Sequence, residues 1–144
     1  MSARRARATL DQLIFLDANV LFSAAWRVDS GRRRIWALPS SIVRCTNGYA
    51  MIEADRNLSD AAARERLHLL MTRVRLVPSV TLGELPPGVA LPEKDRPILL
   101  SALSAGCSHL LTGDRAHFGP YFDTVVGGVH ILRPAEYLAQ VEAD

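Results

Sequence analysis

With 144 residues, of which 49% are hydrophobic and 22% charged, the chain has the size and make-up of one ordinary globular domain. No apolar run approaches the ~20 residues that span a bilayer, and two cysteines, Cys45 and Cys107, give no disulfide framework, so a cytoplasmic protein without membrane contact is expected. The net charge of +2 is too small to imply a nucleic-acid partner by itself, although the positive charge is nearly all arginine, with Lys94 the only lysine.

Residues 1–10 read as a basic tail carrying Arg4, Arg5 and Arg7, and residues 11–144 as a single domain. The tail is followed by Asp11 and Gln12, which break any apolar core of a signal segment. Leu13 to Leu16 is a short continuous apolar run, as in a strand buried on both faces of a parallel sheet. It ends at Asp17 and leads into a helical pattern through Val20, Leu21, Ala24 and Trp26. A helix is expected from Arg33 to Leu38, stopping before Pro39. Ile42 to Cys45 fits either a short strand or the start of the next helix, which continues from Tyr49 to Leu58. Ser59 is the expected cap of a helix from Ala61 to Thr72. Val74 to Val80 reads as a strand, and the proline- and glycine-rich stretch from Gly83 to Pro92 as a loop. Asp95 with Pro97 opens a helix that stops at Gly106. His109 to Thr112 and Val129 to Leu132 are the remaining strands, and a closing helix follows Pro134 to about Val141. Alternating strands and helices predict an α/β domain with a central parallel sheet of about four or five strands and helices on both faces.

Four acids stand out in this arrangement. Asp17 and Asp114 end predicted strands, Asp95 begins the helix leading into the Asp114 strand, and Glu53 faces out from a helix. Ligands of open parallel sheets bind beyond the carboxyl ends of the strands, where these acids collect. Clustered carboxylates repel unless cations neutralise them, and Mg²⁺ or Mn²⁺ favours such oxygen ligands. Metal-activated water can then hydrolyse a phosphodiester without a Ser, Cys or His nucleophile. Each acid also has an ordinary reading. Asp17 and Asp95 can be helix caps, Glu53 can pair with Arg56 or Arg44, and Asp114 can be a turn residue. Spacing alone leaves both readings open.

The segments Ile14-Phe15-Leu16-Asp17-Ala18-Asn19-Val20-Leu21, Glu53-Ala54, Lys94-Asp95 with the Ile98-Leu99 helix, and Leu111-Thr112-Gly113-Asp114-Arg115 together resemble the PIN domain family. The likeness is greatest to its small toxin-type, VapC-like members, and runs from about Leu13 to Leu138. It implies a metal-dependent endoribonuclease, plausibly the toxin of a type II toxin–antitoxin pair. Asp17, Glu53, Asp95 and Asp114 would be catalytic, with Asp17, Asp95 and Asp114 holding Mg²⁺ or Mn²⁺. Asn19 and Thr112 would hold those carboxylates in place. Arg32, Arg33, Arg34 and Arg115 are candidate RNA contacts, their ordinary reading being a solvated face. The resemblance further implies an antitoxin partner and a homodimer.

One departure stands out: many members carry a further Asp shortly after the position of Asp114, whereas Arg115-Ala116-His117-Phe118 offers none. His117 reads more readily as a surface or packing residue than as a ligand. The rival to a ribonuclease is therefore an inactive PIN-fold module that binds RNA or protein. A haloacid-dehalogenase-like phosphohydrolase is disfavoured because it needs a second acid where Asn19 stands. A phosphoreceiver domain is disfavoured by the position of Lys94.

Overall fold

The computed structural model describes residues 12–143, so the basic tail expected at residues 1–10 lies outside the described residues. Among them a six-stranded sheet runs in the order β3-β2-β1-β4-β6-β5. Its strands are β1 (Gln12–Leu16), β2 (Ile42–Asn47), β3 (Arg75–Val77), β4 (His109–Leu111), β5 (Thr124–Val126) and β6 (Val129–Leu132). All pairings are parallel except β5 with β6.

The apolar run of β1 is central for a physical reason. Ile14, Phe15 and Leu16 point alternately to opposite faces, and all three are fully buried, so both faces of the strand are covered. The helices are α1 (Ala18–Trp26), α2 (Gly48–Asn57), α3 (Ala61–Met71), α4 (Arg96–Ser104), the single turn α5 (Arg115–Phe118) and α6 (Pro134–Ala143). Helix α1 packs against both α2 and α3, and Leu58, Ala63 and Leu67 are buried with it in the common core.

The structure settles Ile42 to Cys45 as strand and corrects several boundaries. The helix expected at Arg33 to Leu38 is a 3-10 helix over Gly31–Ala37. Helix α3 is capped by Asp60, whose side chain accepts from the Ala62 N–H at 3.2 Å, and not by Ser59. Strand β3 is three residues long; Pro78, with no N–H to donate, follows it directly. The unexpected strand is β5. It is joined to β6 by Gly127 and Gly128, both at positive φ (56° and 88°), the backbone that a tight hairpin turn demands. Cys45 and Cys107 meet in the core as free thiols, their sulfurs 3.4 Å apart and well beyond the ~2.05 Å of a disulfide.

Strand order reverses between β1 and β4. Chain continuity runs from β1 outward through β2 to β3 on one side, while β4, β6 and β5 lie on the other. The crevice at such a switch point opens where β1 and β4 end, at Asp17 and Thr112.

Candidate metal centre

Asp17 follows β1 and caps α1, its Oδ1 accepting from the Ala18 N–H at 2.7 Å. Capping uses only one of its oxygens. The other, Oδ2, accepts from the Thr112 hydroxyl at 2.8 Å and from Asn19 Nδ2 at 3.1 Å. Thr112 Oγ1 in turn accepts from Asn19 Nδ2 at 3.2 Å and from the Asp114 backbone N–H at 3.1 Å. One buried hydroxyl thus ties the acid after β1 to the acid after β4. Asn19 closes the loop by accepting from the Gly113 N–H at 2.7 Å. A Cβ at position 113 would stand 3.3 Å from that Asn19 oxygen, so the small residue permits the approach.

Asp95 departs from its expected role. It ends the 3-10 turn Glu93–Asp95 in a helical backbone conformation, and its side chain makes no capping hydrogen bond to α4. The carboxylate turns inward: the residue is 7% exposed, and its Oδ2 is buried without a hydrogen-bond partner. Leaving such an oxygen unpaired costs on the order of 1–3 kcal/mol or more, so the ordinary capping account does not explain it. Lys94 Nζ stands 3.4 Å from the other oxygen, Oδ1.

Asp114 caps α5, accepting from the His117 N–H at 3.1 Å. The His117 ring folds back over the same site, with Nδ1 2.9 Å from Asp114 Oδ2 and 3.0 Å from Asp95 Oδ2. Asp95, Asp114 and His117 offer three ligand atoms all within 4.8 Å of one another. Asp17 lies outside that tight triad but is joined to it through Thr112.

Glu53 is exposed on α2 and, among the described residues, pairs with neither Arg56 nor Arg44. Arg44 is instead buried, donating to the Ile35 and Arg73 carbonyls. Glu53 lines a hollow of about 400 Å³ with Ala18, Asn19, Phe22 and Asn57, beside the crevice.

The charged groups around the crevice act on one another. Burial pushes the Asp17 carboxyl up to about 6, and the charges of Glu53 and Asp95 add to the rise; the hydrogen bonds from Thr112 and Ala18 pull against it. Lys94 is partly desolvated, yet its ammonium is held above its usual value by Asp95, with help from Asp114 and Glu53. Tyr49 shows the same field: burial, then Glu53 and Asp95, raise its phenol, whose O–H donates to the Lys94 carbonyl at 2.7 Å.

Of the four arginines expected near RNA, Arg32 borders the crevice, its guanidinium 3.9 Å from where a Gly113 Cβ would stand. Arg33 points inward and donates to the Ala24 carbonyl at 2.9 Å. Arg34 pairs with Glu142 of α6, and Arg115 is exposed.

Sequence reasoning passed over Asn47. It is fully buried, accepts from the Ala50 N–H at 2.8 Å to cap α2, and donates to Ser101 Oγ at 2.9 Å and more weakly to the Pro97 carbonyl at 3.3 Å. It therefore locks the helix bearing Glu53 to the helix that follows Asp95. Its signal was an Asn at the end of an apolar strand, immediately before a helix.

This architecture matches a PIN-like fold. No protein-family model and no curated protein matches the chain. Solved structures do. A chain of VapBC2 from Rickettsia felis, in a crystal with a DNA fragment from its promoter, aligns with TM-score 0.64 at 12% identity, covering 85% of this chain and 98% of its own. FitAcB from Neisseria gonorrhoeae aligns with TM-score 0.55 at 16% identity, over 85% and 98% of the two chains. Mycobacterium tuberculosis VapC20, described as a sarcin-ricin loop cleaving toxin, aligns with TM-score 0.53 at 14% identity, over 78% and 98%. At these identities the likeness establishes the fold.

Proposed function

We propose that the protein is a divalent-metal-dependent endoribonuclease and the toxin of a toxin–antitoxin pair. The observation that carries this reading is Asp95 Oδ2, buried beside Asp114 at the strand-order switch without a hydrogen-bond partner, although Lys94 pairs with the other oxygen and His117 Nδ1 stands 3.0 Å away. A donor set of carboxylates with one imidazole fits Mg²⁺ or Mn²⁺. The cited sarcin-ricin loop cleavage by VapC20 supports RNA as the substrate class. An RNA substrate in turn fits a cytoplasmic location, and no helix among the described residues is long and apolar enough to cross a membrane.

In this reading Asp17, Asp95 and Asp114 hold the cation, while Asn19 and Thr112 fix Asp17 and Asp114 relative to each other. A cation held there would supply Lewis-acid charge that acidifies water and offsets charge on a phosphate. Glu53, exposed and free of ion pairs among the described residues, takes the proton of the attacking water. Arg32 and Lys94 flank the crevice and attract the RNA backbone.

Partner binding is part of the proposal. Phe22 stacks on the half-exposed Trp26 with ring centroids 5.3 Å apart, and Ile52 is likewise half exposed on α2. This apolar border beside an acidic crevice suits a basic and aromatic antitoxin segment or a second copy of the chain. The VapBC2 crystal, with its promoter fragment, supports the antitoxin half of the reading.

The test is incubation of purified, partner-free protein with total RNA in Mn²⁺, Mg²⁺ or EDTA, beside Asp17→Asn and Asp95→Asn. The expected result is cleavage that requires metal and disappears in both variants while circular dichroism shows them folded. Cleavage that survives both substitutions would reject the site. No cleavage by the wild type in any lane would favour a binding module.

A further inference from the structure

His117 occupies the region in which the sequence lacks a further acid, and the structure gives it a definite geometry. The one-turn helix α5 is capped by Asp114, so the spacing Asp114-x-x-His117 brings the ring back over the carboxylate that caps it. Nδ1 then lies 2.9 Å from Asp114 Oδ2 and 3.0 Å from Asp95 Oδ2. Only the first contact is a hydrogen bond; Asp95 Oδ2 remains buried and unpartnered although a ring nitrogen stands beside it.

The three groups converge closely enough for one ion to be drawn between them. In an octahedron with ligands about 2.1 Å from the ion, neighbouring ligand atoms are about 3.0 Å apart and opposite ones about 4.2 Å. Both histidine distances, 2.9 and 3.0 Å, lie close to a neighbouring edge, and Asp95, Asp114 and His117 each offer a ligand atom within 4.8 Å of the other two. The ring is half-buried and held by its hydrogen bond to Asp114, on a helix whose next residue, Phe118, is fully buried.

We propose that His117, through Nδ1, is a ligand of the cation held by Asp95 and Asp114, and that this nitrogen makes the site prefer Mn²⁺, Co²⁺ or Zn²⁺ to Mg²⁺. The inference rests on the metal reading above and specifies its ion class. Imidazole suits transition metals, whereas Mg²⁺ selects oxygen ligands and retains its waters. Binding places the ring proton on Nε2 and leaves the Nδ1 lone pair for the ion.

The test reads metal binding alone. Mn²⁺ is titrated into the full chain by electron paramagnetic resonance, with Mg²⁺ as competitor, for the wild type, His117→Ala, His117→Asp and Asp95→Asn. The expected wild type binds Mn²⁺ at least about tenfold more tightly than Mg²⁺, with nitrogen modulation in the Mn²⁺ signal. His117→Ala loses the modulation and about tenfold of Mn²⁺ affinity with little change for Mg²⁺, and His117→Asp narrows the gap between the ions. Modulation in the wild type suffices even if a variant fails to fold. Mn²⁺ binding abolished by Asp95→Asn, without nitrogen modulation in the wild type, would overturn the role of His117 and leave the acidic site standing. Absence of wild-type binding, or binding indifferent to Asp95→Asn, would overturn both.

Discussion

Thr112 uses its single hydroxyl three times, giving one hydrogen bond to Asp17 and accepting two from Asn19 and Asp114. Replacement by valine keeps the shape and leaves buried polar groups unpaired, so Thr112→Val should destabilise the protein by about 1–3 kcal/mol, read by urea denaturation. Thr112→Ser should recover most of that loss. Asp17 carries a pH signature. Its carboxyl titrates at about 6 in the folded protein against 3.8 as the ordinary value, so the folded state binds the proton more tightly. Its contribution to stability is therefore fully present below pH 3.8 and is lost as pH rises through 6. Without divalent metal, the stability of Asp17→Asn relative to wild type should rise between pH 4 and 7, by on the order of 2–3 kcal/mol. A flat difference between the two proteins would show that Asp17 is not desolvated. At this scale the sequence was partly legible. Asp17 was readable both as a cap and as a site residue; the cap is observed, and its second oxygen is held by Thr112 and Asn19. Asp95 looked like a cap because Asp and Pro97 open a helix, but the preceding 3-10 turn rotates its side chain away from the helix end. Nothing in the residue types reveals that rotation.

The ends of α1 show how elements are held. Its last carbonyls receive Arg33 Nε at Ala24, Arg66 Nε at Ala25 and Arg66 Nη2 at Trp26, at 2.9, 2.9 and 3.0 Å. These guanidinium groups satisfy acceptors that a helix otherwise leaves open, and their charge suits the negative helix end. Arg66→Ala should cost about 1–2 kcal/mol in thermal or chemical unfolding, with the fraying confined to the end of α1 in amide exchange. Elements with strong local signals were readable: the apolar run of β1, the strand Val129–Leu132, and α4 with Pro97 in its first turn. Strand β5 was missed because three residues are too few to show a period; the Gly127-Gly128 pair between valines was the available sign. The 3-10 helix Gly31–Ala37 was assigned as ordinary helix because the two share nearly the same apolar spacing over seven residues.

At the scale of the whole molecule, the crevice gathers negative charge from β1, α2, the turn before α4, and the end of β4. A cation that binds only the folded state should stabilise it, by about 2.7 kcal/mol when present at a hundred times its dissociation constant. For a domain of this size the melting temperature should rise by roughly 9 °C at that Mn²⁺ concentration, and Asp95→Asn should abolish the rise. An unchanged melting temperature in the wild type would count against a metal centre. The sequence implied the parallel α/β class, but the order β3-β2-β1-β4-β6-β5 emerges only from long-range pairing, which no local pattern encodes.

That strand order also sets when the site comes into being. Asp17 directly follows β1, while its partner Thr112 is 95 residues away. A nascent chain grows from its N-terminal end, so β1, β2 and β3 emerge together with one side of β1 still unpaired. Asp95 arrives later, and Asp114 can take its place only once β4 has docked against that waiting edge. If the crevice cuts RNA as proposed, its activity would depend on that docking and not on any local element.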